Sequence, residues 1–309
     1  MKQGVIVMQR TIVADPALQA SFEEHGYIRC PVLTQPEVTE LLRAMALLDP
    51  ADDYAPTHRY HCSFLDDRLS YKQAAFALLR DAFARFMDET LPGYVILNAN
   101  FYVKPPGRGE LIGHQNWPVL TDLDDTTLTV WCPLVDCDAG NGTLHVVPGS
   151  HKLLPHVQAP RAPAYFADFM PAIVQRYLRP LPTRAGDGVI FDDSLIHGSP
   201  DNGRSEPRVA VQLLCVPRGS SPVFYFVDGL NGFDLIDIDE TFFLTHSPAA
   251  LHERQPGWRS RGHVPNRNRA LTQPAFHRML TQARRDRSRG KSRWLRGLWA
   301  ALARTTRPA

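Results

Sequence analysis

Two histidines placed at the ends of predicted strands give the sequence its first chemical hint: His114 in GHQNWP and His197 in GVIFDDSLIHGSP. A histidine followed two residues later by an acid is the usual start of a two-histidine, one-carboxylate iron site, which leaves three metal positions open. Here the residue two past His114 is Asn116, a neutral ligand with one usable oxygen. Either the metal site is altered, with one negative charge fewer, or it is not a metal site. Arg208 then opens the predicted strand RVAVQLLCV. An arginine facing a barrel interior needs an anion, because an unpaired guanidinium there is expensive. The carboxylate of a small diacid would fit its fork, and an ion pair with Asp192 or Asp193 is the structural alternative. Ser199 brings a hydroxyl close to His197, while His145 and His151 read as structural or surface residues. Asp122 or Asp124, in the loop after Asn116, could stand in as a third ligand.

These groups need elements to hold them. In QPEVTELLRAMALL the apolar positions Val38, Leu41, Leu42, Met45 and Leu48 recur at helical spacing, with Thr34 as N-cap and Pro36 in the first turn. A second helix is expected over YKQAAFALLRDAFARFMDETL, with Phe76, Leu79, Phe83, Phe86 and Met87 on one face. After Gly93 the period changes. YVILNANFYVK, TLTVWCPLVD, TLHVVPG, GDGVIFDD and RVAVQLLCVP are short, rich in β-branched and aromatic residues, and separated by turn residues. Short strands with few helical crossovers predict a mainly β fold with flanking helices, an antiparallel sandwich or jelly roll. AYFADFMPAIVQRYL is expected to interrupt the strands as a helix, and residues 218–275 to cover one mouth of the barrel.

With 309 residues, 44% hydrophobic and 21% charged, the composition is that of an ordinary globular protein. No apolar run approaches a membrane span and the first residues lack a long apolar stretch, so the expectation is a cytoplasmic chain without a secretion signal. Cys30, Cys62, Cys132, Cys137 and Cys215 are odd in number and lack CxxC spacing, which points to reduced thiols. The net charge of +2 hides an asymmetry: residues 284–309 hold nine Lys/Arg against Asp286, so this end carries +8 and the remainder −6. A nucleic-acid binder would more often spread such charge over its folded face. In RWLRGLWAALARTTRPA, Trp294, Leu295, Leu298, Trp299 and Leu302 recur at helical spacing among basic residues, the profile of an interfacial helix. The chain thus divides into residues 1–283, with its motifs at about 90–217, and a basic tail, 284–309, suited to peripheral membrane contact.

Taken together, KPPGRGELIGHQNW, VWCPLVDCDAGNGTLHVVPGSHK and GDGVIFDDSLIHGSPDNGRSEPRVAVQLLCV resemble the phytanoyl-CoA dioxygenase family of iron(II)- and 2-oxoglutarate-dependent oxygenases. FEEHGYIRCPVLTQPEVTELL looks like that family's N-terminal entry. The resemblance implies a double-stranded β-helix (cupin-like jelly roll) that uses Fe(II), with 2-oxoglutarate and O2 as cosubstrates. It implies that His114 and His197 are iron ligands, with Asn116 at the position of the usual acid. It gives Arg208 the distal carboxylate of 2-oxoglutarate, Ser199 an assisting hydroxyl, and Trp131 the lining of the cosubstrate pocket. An upstream lysine that the family turns toward 2-oxoglutarate has no assigned counterpart. The expected reaction is hydroxylation of an unactivated C–H bond in a small or lipid-like metabolite. A halogenase of the same fold and a catalytically silent binding protein are the alternatives that Asn116 raises.

Overall fold

The computed structural model describes residues 11–48, 60–229 and 231–288. Four helices come first or nearly so: α1 Pro16–His25, α2 Gln35–Leu47, α3 Leu69–Ala82 and α4 Ala84–Thr90. The start of α2 is a capping box, in which Thr34 Oγ1 accepts from the Glu37 N–H and the Glu37 carboxylate accepts from the Thr34 N–H. The helix expected over Tyr71–Leu91 is two, broken at Phe83, whose own side chain is fully buried with Phe76, Leu79, Phe86 and Met87.

The strands are β1 Tyr27–Pro31, β2 His61–Cys62, β3 Tyr94–Lys104, β4 Leu111–His114, β5 Leu128–Pro133, β6 His145–Val146, β7 Arg179–Pro180, β8 Asp187–Asp192, β9 His197–Ser199 and β10 Arg208–Pro217. They form a six-stranded sheet, β1-β8-β5-β10-β3-β2, and a four-stranded sheet, β4-β9-β6-β7, with every pair antiparallel. This is the double-stranded β-helix. Its two layers explain why all six residues of β5 are buried. Leu128, Val130 and Cys132 pack outward in a core shared with Phe22, Leu41, Phe76 and Leu79 of α1–α3. Trp131, on the opposite face by the period of two, packs inward with Val189, Phe191 and Ala210, with Val146 of the facing sheet and with Leu144 just before it.

The segment AYFADFMPAIVQRYL is not a regular helix. It holds a 3-10 turn at Ala167–Phe169, a short α5 at Met170–Ala172 and a π turn at Ile173–Tyr177. Pro171 cannot donate to the preceding turn, and Phe166, Phe169 and Ile173 are drawn into a core beneath the final helix. Residues 218–275 are more regular than their composition suggests. β11 Val223–Val227, β12 Gly232–Asp237 and β13 Ser260–Pro265 form a third sheet, with α6 Phe242–Thr245 beside it. Phe224, Ile236, Phe242 and Phe243 of this unit pack with Leu97 and Val119, the latter in the loop that follows Asn116.

The last helix, α7 Gln273–Ser288, runs through the boundary expected between Ala283 and Arg284. Phe276, Leu280 and Ala283 are buried, and beyond them the Arg284 guanidinium donates to Pro148 O (2.7 and 2.9 Å). Arg287 donates to Gly149 O (2.6 Å) and His151 O (2.7 Å). Arg284 and Arg287 of the expected tail are thus anchors of the folded body, because the carbonyls of Pro148, Gly149 and His151 receive them. The Trp294–Leu302 pattern lies outside the described residues. Among the described residues, no helix is long and apolar enough to cross a membrane.

Candidate active site

His114 ends β4 and His197 begins β9, and the two are Cα partners across the small sheet. Their rings lie 4.3 Å apart, centroid to centroid. Each Nδ1 bonds a backbone carbonyl two residues earlier, Ile112 O at 2.7 Å and Leu195 O at 2.9 Å, so each must carry its proton there and leave Nε2 as a bare acceptor. Burial pushes both imidazoles below the ordinary histidine value, and for His197 the neighbouring His114 adds to the effect. Two neutral rings with free Nε2 lone pairs on one strand pair suit a divalent metal. The strand geometry depends on a bulge: Leu111 to His114 spans Ser199 to His197, one residue too many. The bulge presses backbone against Gly198, where a Cβ would lie 2.8 Å from Leu111 O.

Asn116 is held from two sides. Its backbone N–H donates to Asp193 O (2.9 Å), and its Nδ2 donates to Asp193 Oδ1 (2.9 Å) and Thr129 Oγ1 (2.7 Å). The Thr129 hydroxyl in turn donates to Asp193 Oδ1 (2.6 Å). Thr129 is the cross-strand partner of Phe191, whose ring stands 4.7 Å from that of His197, so this network borders the histidine pair. Burial raises the Asp193 carboxyl to about 6, against hydrogen bonds from Asn116, Thr127 and Thr129 that pull it down. Asp122 and Asp124 line a cleft of about 50 Å³ together with Asn116, Asp193 and Lys152, but neither histidine reaches it. Among the described residues no group of three His, Cys, Asp or Glu side chains could hold a metal, so neither aspartate joins the pair. His145 and His151 belong to no such group either. His145 Nδ1 bonds Thr143 O, and His151 is buried beneath Gly26, where a Cβ would lie 2.3 Å from its ring.

Arg208 is 2% exposed, and its Nε and Nη1 have no hydrogen-bond partner among the described residues. The expected alternative of an ion pair fails: Asp193 is bonded to Asn116 and Thr129, and Asp192 lies 3.7 Å from Lys152 Nζ. Burial lowers the guanidinium to about 10. The Trp131 ring lies 5.8 Å from it, in cation–π range.

Sequence reasoning left one residue of this group unassigned. Lys104, at the end of β3, is the Cα partner of Arg208 and only 1% exposed. Its Nζ donates to Ser199 Oγ (2.5 Å), Pro200 O (2.5 Å) and Ser199 O (3.2 Å). Ser199 is therefore engaged by Lys104, the cross-strand neighbour of Arg208. Burial, then the Arg208 charge, push the ammonium down to about 6. The signal available in the sequence was a lysine closing the long strand YVILNANFYVK. Its pairing with a residue over a hundred positions later was not.

A buried guanidinium with spare donors, beside a buried lysine and an aromatic wall, fits a small dicarboxylate. The histidine pair fits a metal. The chemistry of the donors agrees with both groups.

The phytanoyl-CoA dioxygenase (PhyH) family model matches residues 22–210. Phytanoyl-CoA dioxygenase 1 of Oryza sativa subsp. japonica is 29% identical over 121 residues, 38% of this chain and 43% of that protein, so the match spans less than half of the relative. Among solved structures, the fold is similar to the non-heme α-ketoglutarate-dependent carbocyclase SnoK from nogalamycin biosynthesis (TM-score 0.53, 19% identity, 68% of this chain and 86% of that one). It is similar to the epimerase SnoN from the same biosynthesis (0.53, 21%, 84% and 94%). It also resembles HygX from Streptomyces hygroscopicus, solved with nickel, 2-oxoglutarate and hygromycin B (0.51, 17%, 74% and 99%). At these identities the structures speak for the fold alone; the family model, which covers more than half of the sequence, shows that the chain belongs to the phytanoyl-CoA dioxygenase (PhyH) family.

Proposed function

We propose that this chain is an iron(II)- and 2-oxoglutarate-dependent oxygenase that hydroxylates an unactivated C–H bond of a small metabolite. The observation that carries the reading is Arg208, a guanidinium buried without an anion beside the buried amine of Lys104. An unsatisfied charge in a barrel costs stability unless a ligand completes it. In this reading His114, Asn116 and His197 hold the metal. Arg208 forks onto the distal carboxylate of 2-oxoglutarate, Trp131 walls the pocket, and Ser199 steadies Lys104 beside it. Iron with bound 2-oxoglutarate supplies oxidative C–H chemistry with O2, and the protein's part is to bind, orient and exclude.

Two features refine the reading. Asn116 fills the third position and is tied to Thr129 and Asp193, which favours hydroxylation over a halide entering there. The inner face of the large sheet carries Trp131, Gln212 and Asn100 in one cross-strand row. Asn98 lies on the same strand as Asn100, and the Nδ2 of each has no hydrogen-bond partner among the described residues. Amide donors on that wall favour a substrate with hydrogen-bonding groups over a plain lipid chain.

The test is an anaerobic titration of apo-protein with iron(II) and 2-oxoglutarate, following the visible charge-transfer band of the chelate. We expect a saturable band, with each component tightening the other. Arg208→Ala should raise the 2-oxoglutarate requirement roughly tenfold to a hundredfold, the worth of a lost charged hydrogen bond. A folded protein that gives no band would instead favour a silent ligand-binding role.

A further inference from the structure

The candidate metal site lacks a carboxylate ligand, yet a carboxylate stands one hydrogen bond behind the residue that replaces it. Asp193 is 3% exposed and contacts Asn116 through both backbone and side chain. A carboxylate only accepts hydrogen bonds, so the amide must turn its nitrogen toward Asp193. The Asn116 oxygen then becomes the group presented on the other side. Thr129 Oγ1 reinforces this choice, since it donates to Asp193 Oδ1 and is left to accept from Asn116 Nδ2. A residue needed only to close the turn would not require this burial. Asp193 Oδ2 has no hydrogen-bond partner among the described residues, and such a carboxylate oxygen is costly to desolvate.

We propose that Asp193 is a positioning residue for a divalent-metal site formed by His114, His197 and the Asn116 amide oxygen. It fixes the carboxamide with oxygen as the ligand atom and returns, one hydrogen bond removed, the negative charge that Asn116 does not carry. Donation of an amide N–H to a carboxylate draws electron density onto the amide oxygen and makes it a better ligand. Partners of this kind behind metal ligands are worth about 10–100-fold in affinity. The inference rests on the metal-binding reading above.

The test uses Co(II), a probe whose visible spectrum reports ligand number and geometry, with the full chain and no cosubstrate. Asp193→Asn should weaken Co(II) binding about tenfold or more. The exchange variant, Asn116→Asp with Asp193→Asn, keeps the hydrogen-bonded pair and moves the charge into the ligand position, so it should bind at least as tightly as wild type. Thr129→Val, which keeps the shape but removes the bridging hydroxyl, should weaken binding severalfold and remains informative if Asp193→Asn fails to fold. Circular dichroism monitors folding throughout. Wild-type protein that binds no Co(II) would overturn both this inference and the reading beneath it. Wild-type binding with unchanged affinity in Asp193→Asn and Thr129→Val, or an exchange variant no better than Asp193→Asn, would overturn the role of Asp193 alone.

Discussion

Lys104 and Arg208 face one another across β3 and β10, and the proximity of two buried cations dominates the electrostatics of the cosubstrate end of the site. Three acceptors around Lys104 Nζ favour the ammonium, while burial and Arg208 lower its pKa from 10.5 to about 6. A dicarboxylate docking on Arg208 would cancel that repulsion and raise the Lys104 value again. Between about 6 and the higher bound value, binding must therefore take up a proton. Affinity should fall as pH rises through this window, and be flat below it, where the ammonium is already present in both states. Calorimetry of 2-oxoglutarate binding to metal-loaded protein, in buffers of different ionisation enthalpy, reads the proton directly. Lys104→Met should abolish the uptake; an identical uptake in that variant would remove Lys104 from the site.

At the scale of elements, the position of His197 depends on packing that begins far from it. Arg287 of α7 donates to the carbonyls of Gly149 and His151 and so pins the turn between them. Ser150, in that turn, accepts the Ile196 N–H at 2.9 Å, and Val147 N–H donates to Ile196 O at 2.8 Å. The chain from helix to turn to strand ends one residue before His197. Arg287→Ala should destabilise the fold by about 1.5–3 kcal/mol, the usual worth of hydrogen bonds to a charged group. The denaturant midpoint measures it, and no shift would mean that the helix is held by Phe276 and Leu280 alone. The early helices were legible because their signals are local: the capping box at Thr34 and Glu37 and the apolar spacing of Val38 and Leu41 need no distant partner. The segment around Pro171 was misread because its apolar residues satisfy a core rather than a helical period.

For the whole molecule, charge is unevenly distributed. The residues from 284 onward carry +8 and the rest −6, and Arg284 and Arg287 of that stretch are anchored to the body. If the basic and aromatic residues beyond Ser288, outside the described region, serve a membrane surface, the full chain should float with anionic vesicles while a chain truncated after Ser288 stays in solution. Equal flotation of the two would end that idea. A truncation at Ala283 is the wrong comparison, since it removes both arginine anchors along with the tail.

The sequence by itself determined the long strands β3, β5, β8 and β10, the helix α2 and the identity of the chemical groups: alternation, turn residues and caps act over a few positions, and the ordered motifs around His114, His197 and Arg208 carried the family. Only the tertiary structure decided which groups meet. Asn116 finds Thr129 13 residues on and Asp193 77 residues on, and Lys104 finds Ser199 95 residues on. Such pairs depend on the register of β3, β5 and β8 in the large sheet and of β4 and β9 in the small one. A slip of one residue would turn Lys104, Thr129 or Ser199 to the opposite face of its sheet. Register is a property of the closed barrel, fixed by the packing of both sheet faces at once, and no local stretch of the chain contains it.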